Sequence, residues 1–424
     1  MKRVALSSIL VFPLVIFFIM QYRIGPGDTP IWLFGIIFAL LLGYIIVDIL
    51  TISQKIYDVI KTALLASIVI IVLGSGFSAS MIVRHQTAPV YGVSDIILQQ
   101  EAAIRYFIHG KNPYQETYFH TPMAAFHYSD TEVNPALYHF VMEPFYLLFA
   151  LPFYVLSNHT IGYFDAREVL WLLLGVLLVF AYFVPKEKEN KRILITLLAF
   201  NPAMLGYTLE GRSDIFAYAF LFVGFFLLQK KKIFWSGILI ALACAVKQSI
   251  FPLIPLYGVY LASFGWRETR SLQKTLLYLI RNLSGFTVVF LGLLLPFFIW
   301  NPHAFLASTI YFLSGNGVHS YPVAGYGLGM LLHQLGAIKD VHAYYPFALW
   351  QIGIGLPVLL IFCWYIWKKP SVARLILFYG IFLFVFWYLA RYFNNSHVGY
   401  LSMVFITAYL WTDADGKNLL KNSN

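Results

Sequence analysis

Twelve apolar segments, most of them long enough to cross a lipid bilayer, dominate this sequence of 424 residues. A helix needs about 20 mainly apolar residues to span the hydrocarbon core, where its backbone groups must bond internally. The sequence therefore predicts an all-α polytopic membrane protein with about twelve transmembrane helices (range ten to thirteen) in one integral membrane domain, 1–424. The predicted spans are residues 4–22, 31–50, 60–82, 168–185, 192–208, 214–229, 233–249, 251–265, 276–300, 348–367, 372–390 and 397–412.

Composition excludes the soluble classes of protein. Hydrophobic residues make up 60% of the chain and charged residues 11%, whereas an average soluble domain has about 25% charged residues. A water-soluble enzyme, a nucleic-acid-binding domain and a disordered protein are therefore excluded. The two cysteines, Cys244 and Cys363, lie in separate apolar runs and predict neither a disulfide nor a thiol metal site.

The distribution of positive charge predicts the orientation. One segment, 138–157, is apolar enough to cross but contains Glu143, Pro144 and Pro152. If this segment stays on the outer face, nineteen of the 29 basic residues share the other face, as the positive-inside rule requires. If it crosses, the asymmetry disappears. We therefore predict that 138–157 is a juxtamembrane segment, that both termini are cytoplasmic, and that the net charge of +10 reflects topology. The nineteen are Lys2, Arg3, Lys55, Lys61, Lys186, Lys188, Lys191, Arg192, Lys230, Lys231, Lys232, Arg267, Arg270, Lys274, Lys368, Lys369, Arg374, Lys417 and Lys421.

This orientation places two long segments outside, 83–167 and 301–347, and leaves only short cytoplasmic loops. The sequence contains no phosphate-binding glycine motif of a nucleotide site. Any chemistry is therefore expected on the outer face. Because nucleotide sugars and ATP are not available there, an activated donor would come from the membrane as a lipid phosphate.

The first outer segment contains a candidate general base. Residues 94–110 have an apolar stripe between Ser94, a candidate N-cap, and Gly110, a candidate stop, which predicts an amphipathic helix in the membrane interface. Asp95 lies in its first turn, where the helix dipole favours an ionised base, although an Asp there also simply favours helix initiation. Glu101 precedes Arg105 by four residues, as in a surface ion pair.

More charged residues stand at the outer ends of predicted spans. Glu210, Arg212 and Asp214 share one outer turn, which either lines a cavity or is a solvated turn with its own ion pair. Lys247 and Arg391 break the positive-inside pattern, so each is either a phosphate ligand or a snorkelling side chain. The outer histidines lack the spacing of a metal site, and no metal or other cofactor is predicted.

Two stretches resemble a known family. SDIILQQEAAIRYFIHGKNPY (94–114) is similar to the first outer loop of polytopic GT-C fold glycosyltransferases that use polyprenyl-phosphate sugars, such as mannosyl- and arabinosyltransferases. NPAMLGYTLEGRSDIFAYAFLFVGFFLLQKKKIFWSGILIALACAVKQ (201–248) resembles their next conserved region in its order of Asn-Pro, acidic turn, basic turn and terminal Lys. YFDAR (163–167) and ARYFNN (390–395) are shorter similarities.

The resemblance implies roles for individual residues. Asp95 would be the catalytic base, with Glu101 as the second candidate. In some relatives the acidic turn binds a metal, but Asp95 is followed by two isoleucines rather than by a second acid, so a bound metal is not implied here. The implied substrate-binding residues are Glu210, Arg212 and Asp214 for the acceptor, Lys247 and Arg391 for the donor phosphate, and Asn112 and Tyr114 in the first loop.

The implied activity is inverting transfer of a sugar, a hexose such as mannose or an arabinose, from a polyprenyl-phosphate carrier to a hydroxyl of a lipid-linked or envelope glycan. The site would lie on the outer face of the plasma membrane, in contact with membrane lipids and without nucleic acid. A transporter or flippase of lipid-linked sugars, a polysaccharide ligase or polymerase, and a scaffold without chemistry are the alternatives. Transporters usually place charges near the midplane and have inverted repeats, and the sequence has neither feature.

Overall fold

A computed structural model describes residues 4–21, 30–127 and 132–413, with only the backbone of 17–21. Some basic residues, such as Lys2 and Lys421, and the end of the first predicted span lie outside the described residues.

The described chain is mainly helical. The helices are α1 Leu6–Gln21, α2 Ile31–Ile46, α3 Gln54–Thr87, α4 Asp95–Ile108, α5 Pro144–Thr160, α6 Arg167–Ala181, α7 Lys188–Ala199, α8 Leu205–Leu209, α9 Asp214–Gln229, α10 Ile233–Cys244, α11 Leu253–Thr269, α12 Leu272–Trp300, α13 Pro302–Leu306, α14 Phe312–Ser314, α15 Leu328–Gln334, α16 Phe347–Trp350, α17 Leu356–Lys368, α18 Val372–Tyr388 and α19 Asn395–Leu410.

Several of these helices have the length and composition of membrane spans. Four apolar helical segments in the described chain are long enough to cross a bilayer: Gln54–Thr87, Gln248–Thr269, Leu272–Trp300 and Phe347–Lys368. Shorter apolar helices occupy Leu6–Ile16, Ile31–Ile46, Asp214–Gln229, Ile233–Cys244 and Val372–Tyr388. The chain is thus a helical protein of membrane type, as predicted, while the count of twelve crossings and the GT-C class stay predictions.

The predicted span 192–208 is not one continuous helix. Helix α7 ends at Ala199, and α8 begins only at Leu205. Pro202 follows Asn201 in the gap, and a residue before proline avoids the helical conformation. The side chain of Asn201 accepts a hydrogen bond from Ala203 N (3.0 Å) and donates one to Ser402 Oγ (2.8 Å). The Asn-Pro pair therefore interrupts the helix and holds the break against α19.

Charged residues, all buried except the half-buried Glu189, join the helices at one end of the bundle, which we call the Asp48 end (Asp48, Asp58, Lys61, Glu189 and Arg192). Lys61 Nζ lies 3.0 Å from Asp48 Oδ1, and neither side chain is accessible to solvent. Arg192 Nη1 lies 3.1 Å from Asp58 Oδ1, and Glu189 Oε1 accepts a bond from Ser7 N at 2.7 Å. The first turns of α1, α3 and α7 and the residues after α2 therefore meet here. Lys61 belongs to the predicted basic face, but its full burial was not foreseen.

The opposite end of the bundle, the Asp95 end, begins where α4 meets the turn 210–214. Ser94 N donates to Glu210 O at 2.7 Å. Gly211 has φ +90°, and a Cβ placed there would lie 1.9 Å from Ile97 Cγ1. Only glycine satisfies both the backbone conformation and this close approach. The turn is thus pressed directly against the first turn of α4.

Helix α4 is enclosed by other parts of the protein along most of its length. Residues 97–104 are all buried, including Gln99 and Gln100. Gln99 donates to Ala136 O and His139 O, and Gln100 donates to Tyr146 O. The predicted helix is confirmed over 95–108, and the loop 134–143 and α5 cover its polar face; its position at the membrane interface stays a prediction.

The predicted juxtamembrane segment 138–157 includes most of α5, and both ends of α5 lie at the Asp95 end. At its start, Phe145 N donates to Ala245 O (2.8 Å), just beyond α10. At its end, Ser157 Oγ donates to Glu168 Oε2 (2.5 Å) in the first turn of α6. Lys247, just beyond α10, pairs with Asp214 in the turn 210–214. Arg167, at the start of α6, donates to Leu209 O immediately before that turn. Helix α5 therefore lies along one end of the bundle.

The second long segment, 301–347, is also structured. Asn301 caps α13 by accepting a bond from Ala304 N (3.0 Å). The strands β1 (Ala324–Gly325) and β2 (Tyr392–Phe393) pair in parallel, with Ala324 opposite Tyr392. This pairing fixes the segment to the residues that separate α18 from α19, at the Asp95 end.

Candidate functional site

Asp95 occupies the first position of α4 and, unlike Glu101 and Asp214, has no cationic partner within the described ranges. Its Oδ1 accepts a bond from Ile96 N (3.0 Å), and its Oδ2 accepts one from Asn134 Nδ2 (3.1 Å). The side chain is half-buried. An oriented carboxylate that is open to solvent and not neutralised by an ion pair has the properties of a general base.

Asn134 is a site residue that sequence reasoning missed. Its side-chain oxygen accepts a bond from Ala136 N (3.0 Å) and caps a 3₁₀ turn at Pro135–Tyr138, while its Nδ2 donates to Asp95. The Asn-Pro pair at 134–135 is a turn signal, but no local pattern shows that it reaches Asp95, 39 residues earlier in the chain.

Glu101 is locked in a buried ion-pair network. Arg84 Nη1 and Nη2 donate to Glu101 Oε1 and Oε2 at 2.8 Å each. Arg84 also lies 3.0 Å from Asp165, which pairs with Arg167 at 2.7 Å. Burial raises the pKa of the Asp165 carboxyl, but Arg167 and Arg84 outweigh burial and hold that pKa below its usual value. The expected surface pair of Glu101 with Arg105 is therefore wrong, and its bidentate bond leaves Glu101 poorly suited to the expected role of second candidate base.

The Arg84–Glu101–Asp165–Arg167 network joins three elements. Arg84 comes from the last turn of α3, Glu101 from the middle of α4, and Asp165 and Arg167 from the start of α6. Two positive and two negative side chains in contact are the arrangement in which buried charges are tolerated. In the sequence, Asp165 and Arg167 were signalled only by the similarity of YFDAR (163–167) to the GT-C family.

In the turn 210–214, Glu210 and Arg212 are loosely paired. Arg212 Nε lies 3.9 Å from Glu210 Oε2, and its guanidinium lies 4.7 Å from the centre of the Tyr207 ring. The Nε atom is buried and has no hydrogen-bond partner. Part of the guanidinium is exposed, so Arg212 retains donors that an anionic ligand can use.

Asp214 and Lys247 form a close pair. Lys247 Nζ lies 2.7 Å from Asp214 Oδ1, and Asp214 is buried while the Lys247 side chain is 21% exposed. The pair joins the start of α9 to the residues after α10. Asp214 is therefore a counter-ion that orients Lys247, and part of the Lys247 side chain remains accessible.

These residues surround a common region. The Tyr146 hydroxyl is buried without a hydrogen-bond partner, and it interacts electrostatically with Asp95, Asp214 and Glu101. His397, in the first turn of α19, interacts electrostatically with Lys247 and Arg212. The structure thus gathers a free carboxylate, two cations and their counter-ions at one end of the bundle, which we call the Asp95 site (Asp95, Asn134, Arg212, Asp214 and Lys247).

No family model, curated protein or solved structure matches this chain. The geometry of the Asp95 site therefore has to support any functional assignment. Within the described ranges, no group of three or more His, Cys, Asp or Glu side chains could hold a metal ion.

Besides Glu101 and Glu210, three further predicted site residues lie outside the Asp95 site. Asn112 and Tyr114 are 4% and 3% exposed; Asn112 Oδ1 accepts a bond from Tyr114 N, and Tyr114 Oη donates to Met142 O. These contacts fold the first loop and present neither side chain at the surface, so they do not suit the expected substrate-binding role. Arg391 is 2% exposed and donates to the backbone carbonyls of Tyr321, Val341 and Ala343.

Proposed function

We propose that this chain is an inverting, GT-C-like glycosyltransferase that moves a sugar from a polyprenyl-phosphate carrier to a hydroxyl of a lipid-linked or envelope glycan. The sugar would be a hexose such as mannose, or an arabinose. The Asp95 end would face the outside of the plasma membrane, with both termini cytoplasmic. In this orientation, every residue of the Asp95 site belongs to the outer segments or to the outer ends of helices.

The observation that carries the proposal is the state of Asp95. Glu101 and Asp214 are both neutralised by cations at 2.7–2.8 Å, whereas Asp95 is oriented by neutral donors only. The bonds from Ile96 and Asn134 hold this carboxylate in one orientation, and an oxygen that is not bound by a cation can accept a proton from an acceptor hydroxyl.

The donor phosphate would be held by Arg212 and Lys247. Arg212 has an unpartnered buried Nε, and Lys247 has an exposed edge oriented by Asp214. Charge-assisted hydrogen bonds to phosphate are stronger than neutral ones, and neutralising the phosphate makes it a better leaving group. Arg391 is left out of this donor site because its guanidinium binds the loop 321–343 instead.

The reaction is a single displacement at the anomeric carbon. The acceptor hydroxyl loses its proton to an Asp95 oxygen as its own oxygen attacks the sugar. The bond between the anomeric carbon and the phosphate oxygen breaks, and the phosphate leaves with the electron pair. One displacement inverts the configuration at the anomeric carbon, and no second carboxylate is needed.

The proposal is tested by replacing Asp95 with Asn in the full chain reconstituted in lipid nanodiscs. We expect Asp95→Asn to reduce transfer from labelled polyprenyl-phosphate mannose or arabinose to envelope glycolipids by about 100-fold or more, because general-base catalysis contributes about 10²–10⁴-fold. The protein should remain folded with at most a small fall in the thermal unfolding temperature, since the amide oxygen can still accept from Ile96 N and only the bond from Asn134 is lost. The donor should still bind to Asp95→Asn but bind weakly to Arg212→Gln.

Normal turnover by Asp95→Asn would overturn the assignment of the base. Glu116→Gln is the matched control, since Glu116 lies in the same outer segment and makes only a 3.5 Å contact with Lys111. Its transfer rate should equal that of the wild type.

A further inference from the structure

A small cavity separate from the Asp95 site lies between the end of α14, the segment 344–351 and the residues after α18. Its volume is about 140 Å³. Pockets for drug-sized ligands measure about 300–1,000 Å³, so this cavity has room for one small group rather than for an oligosaccharide. The residues with polar groups that line it are Ser314, Asn316, Tyr344, Tyr345, Gln351 and Arg391.

Arg391 is the charged residue in the wall of this cavity. Three of its five N–H groups donate to the carbonyls of Tyr321, Val341 and Ala343, and two have no partner in the described chain. Gly315, with φ +80°, brings its backbone against the guanidinium: a Cβ there would lie 2.4 Å from Nη1. The guanidinium is therefore held rigidly in place while part of its donor capacity is unused.

No carboxylate neutralises Arg391 within the described residues. Burial lowers the pKa of Arg391, and only Asp340, which forms no ion pair with it, acts in the opposite direction. Arg84 is the contrasting case, because Glu101 and Asp165 bind it directly. A buried charge without a counter-ion is unfavourable, and a bound anion would relieve that cost.

A chain of aromatic rings lies between the cavity and the Asp95 site, and the two share no residue. Arg391 bonds the backbone of Tyr321, whose ring lies 4.7 Å from that of Tyr392. Tyr392 in turn lies 5.2 Å from the ring of His397, which interacts with Lys247 and Arg212. Because Arg391 makes no hydrogen bond to a residue of the Asp95 site, an anion in this cavity is a different group from the donor phosphate held there.

We propose that the Arg391 cavity takes up the anionic group, a carboxylate or a phosphate, of a sugar unit whose ring lies at its mouth, and that the glycan acceptor is therefore acidic. The guanidinium supplies the two free donors that a planar carboxylate or a phosphate accepts. Tyr344 and Tyr345 supply aromatic faces for a sugar ring, and Asn316 and Gln351 supply amides for its hydroxyls. The assignment of the Arg391 cavity to the acceptor rests on the proposed function. Binding of an anionic sugar to the cavity can be measured without any sugar transfer.

The test measures equilibrium binding of glucuronate, glucose 6-phosphate and glucose to the full chain in nanodiscs. We expect at least one of the two anionic sugars to bind about tenfold or more tightly than glucose, because hydrogen bonds to a charged group contribute about 1.5–3 kcal/mol. The tighter of the two identifies the anionic group as carboxylate or phosphate.

Two variants, each made in an Arg212→Gln background so that the proposed donor-phosphate site does not contribute, decide whether binding occurs in this cavity. Ala348→Trp obstructs the cavity without touching the contacts of Arg391, and Arg391→Gln removes the charge; both should abolish the preference for anionic sugars. Asp95→Asn should leave it unchanged, which separates this inference from the proposed function. Equal binding of all three sugars, or an anionic preference that persists in Ala348→Trp, would overturn the inference.

Discussion

At the scale of single residues, the hydrogen bond from Asn134 to Asp95 makes Asn134 a positioning residue for the proposed base. Its Nδ2 lies 3.1 Å from Asp95 Oδ2. Asn134→Asp keeps the oxygen that caps Ala136 but replaces the donor with a negative charge. We expect kcat to fall about tenfold or more with KM nearly unchanged, since a hydrogen bond to a charged group is worth about 1.5–3 kcal/mol.

The control for this variant is Asn158→Ala, because Asn158 is exposed and bonds only to Tyr154 O in its own helix. Steady-state kinetics and thermal unfolding of both variants separate catalysis from folding. A fall in the unfolding temperature of Asn134→Asp that accounts for its lost activity would assign Asn134 a purely structural role.

Glu143 provides a pH-dependent prediction. It precedes α5, is 2% exposed, and its Oε2 has no hydrogen-bond partner. Burial raises the pKa of Glu143 to about 8, compared with about 4.3 in an unfolded chain. Between these values the folded protein keeps a proton that the unfolded chain releases, so the free energy of unfolding falls as pH rises, by up to about 1.4 kcal/mol per pH unit.

Glu143→Gln cannot release a proton and should lose less stability than the wild type between about pH 5 and about pH 9. Thermal unfolding at the two pH values measures the difference, and Glu116→Gln is again the control. Parallel pH dependence of the wild type and Glu143→Gln would contradict the burial of a neutral Glu143.

At the scale of elements, the network around Arg84 holds α3, α4 and α6 together and so sets the position of the first turn of α4. Arg84→Met leaves Glu101 and Asp165 buried near each other with only Arg167 to compensate. We expect a loss of about 3–5 kcal/mol in the free energy of unfolding, as for other broken buried ion pairs. Denaturant unfolding in detergent measures it.

The double variant Arg84→Met/Glu101→Met should recover part of this stability, because it removes both charges of the bidentate pair. Arg105→Met is the control: Arg105 lies on the same helix as Glu101 but forms no ion pair within the described residues, so its effect should stay within about 0.5 kcal/mol. A loss in Arg105→Met as large as that in Arg84→Met would argue against the network as the source of the stability.

The elements also show which features a sequence can predict. Apolar periodicity and polar breaks located most of the long helices, because the apolar composition of a span is a local signal, but they missed the interruption at Asn201 and Pro202. The partners of Glu101 could not be predicted in this way. Arg105 is its neighbour along the helix, but Arg84 becomes its neighbour only when α4 folds back across the end of α3. Arg212 and Lys247 were found because charge at the end of a span is a local signal, whereas Asn134 depends on a long-range contact.

At the scale of the whole molecule, the arrangement of helices yields a prediction of topology. The start of α1 bonds to Glu189 at the Asp48 end, and Thr412, after α19, accepts from Gln229 at the end of α9. Both described ends of the chain therefore share one end of the bundle. Thr160→Cys, at the Asp95 end, should react with an impermeant thiol reagent from outside, and Lys188→Cys only after permeabilisation.

Both positions are exposed, and both native cysteines, Cys244 and Cys363, should first be replaced by alanine so that only the introduced thiol reacts. Labelling of Lys188→Cys in intact cells would reverse the predicted orientation and move the Asp95 site to the cytoplasm.

The position of α5 has a consequence for how the protein is made. The amide groups of Glu143 and Phe145 donate to the carbonyls of Val246 and Ala245, which follow α10. A ribosome synthesises the segment 138–157 long before these carbonyls exist. Although this segment is apolar enough to enter a bilayer, its final bonds cannot form until α6, α7, α9 and α10 have emerged. With 138–157 on the outer face, as predicted, we expect this early apolar segment to stay at the membrane surface until the partners of α5 have been translated.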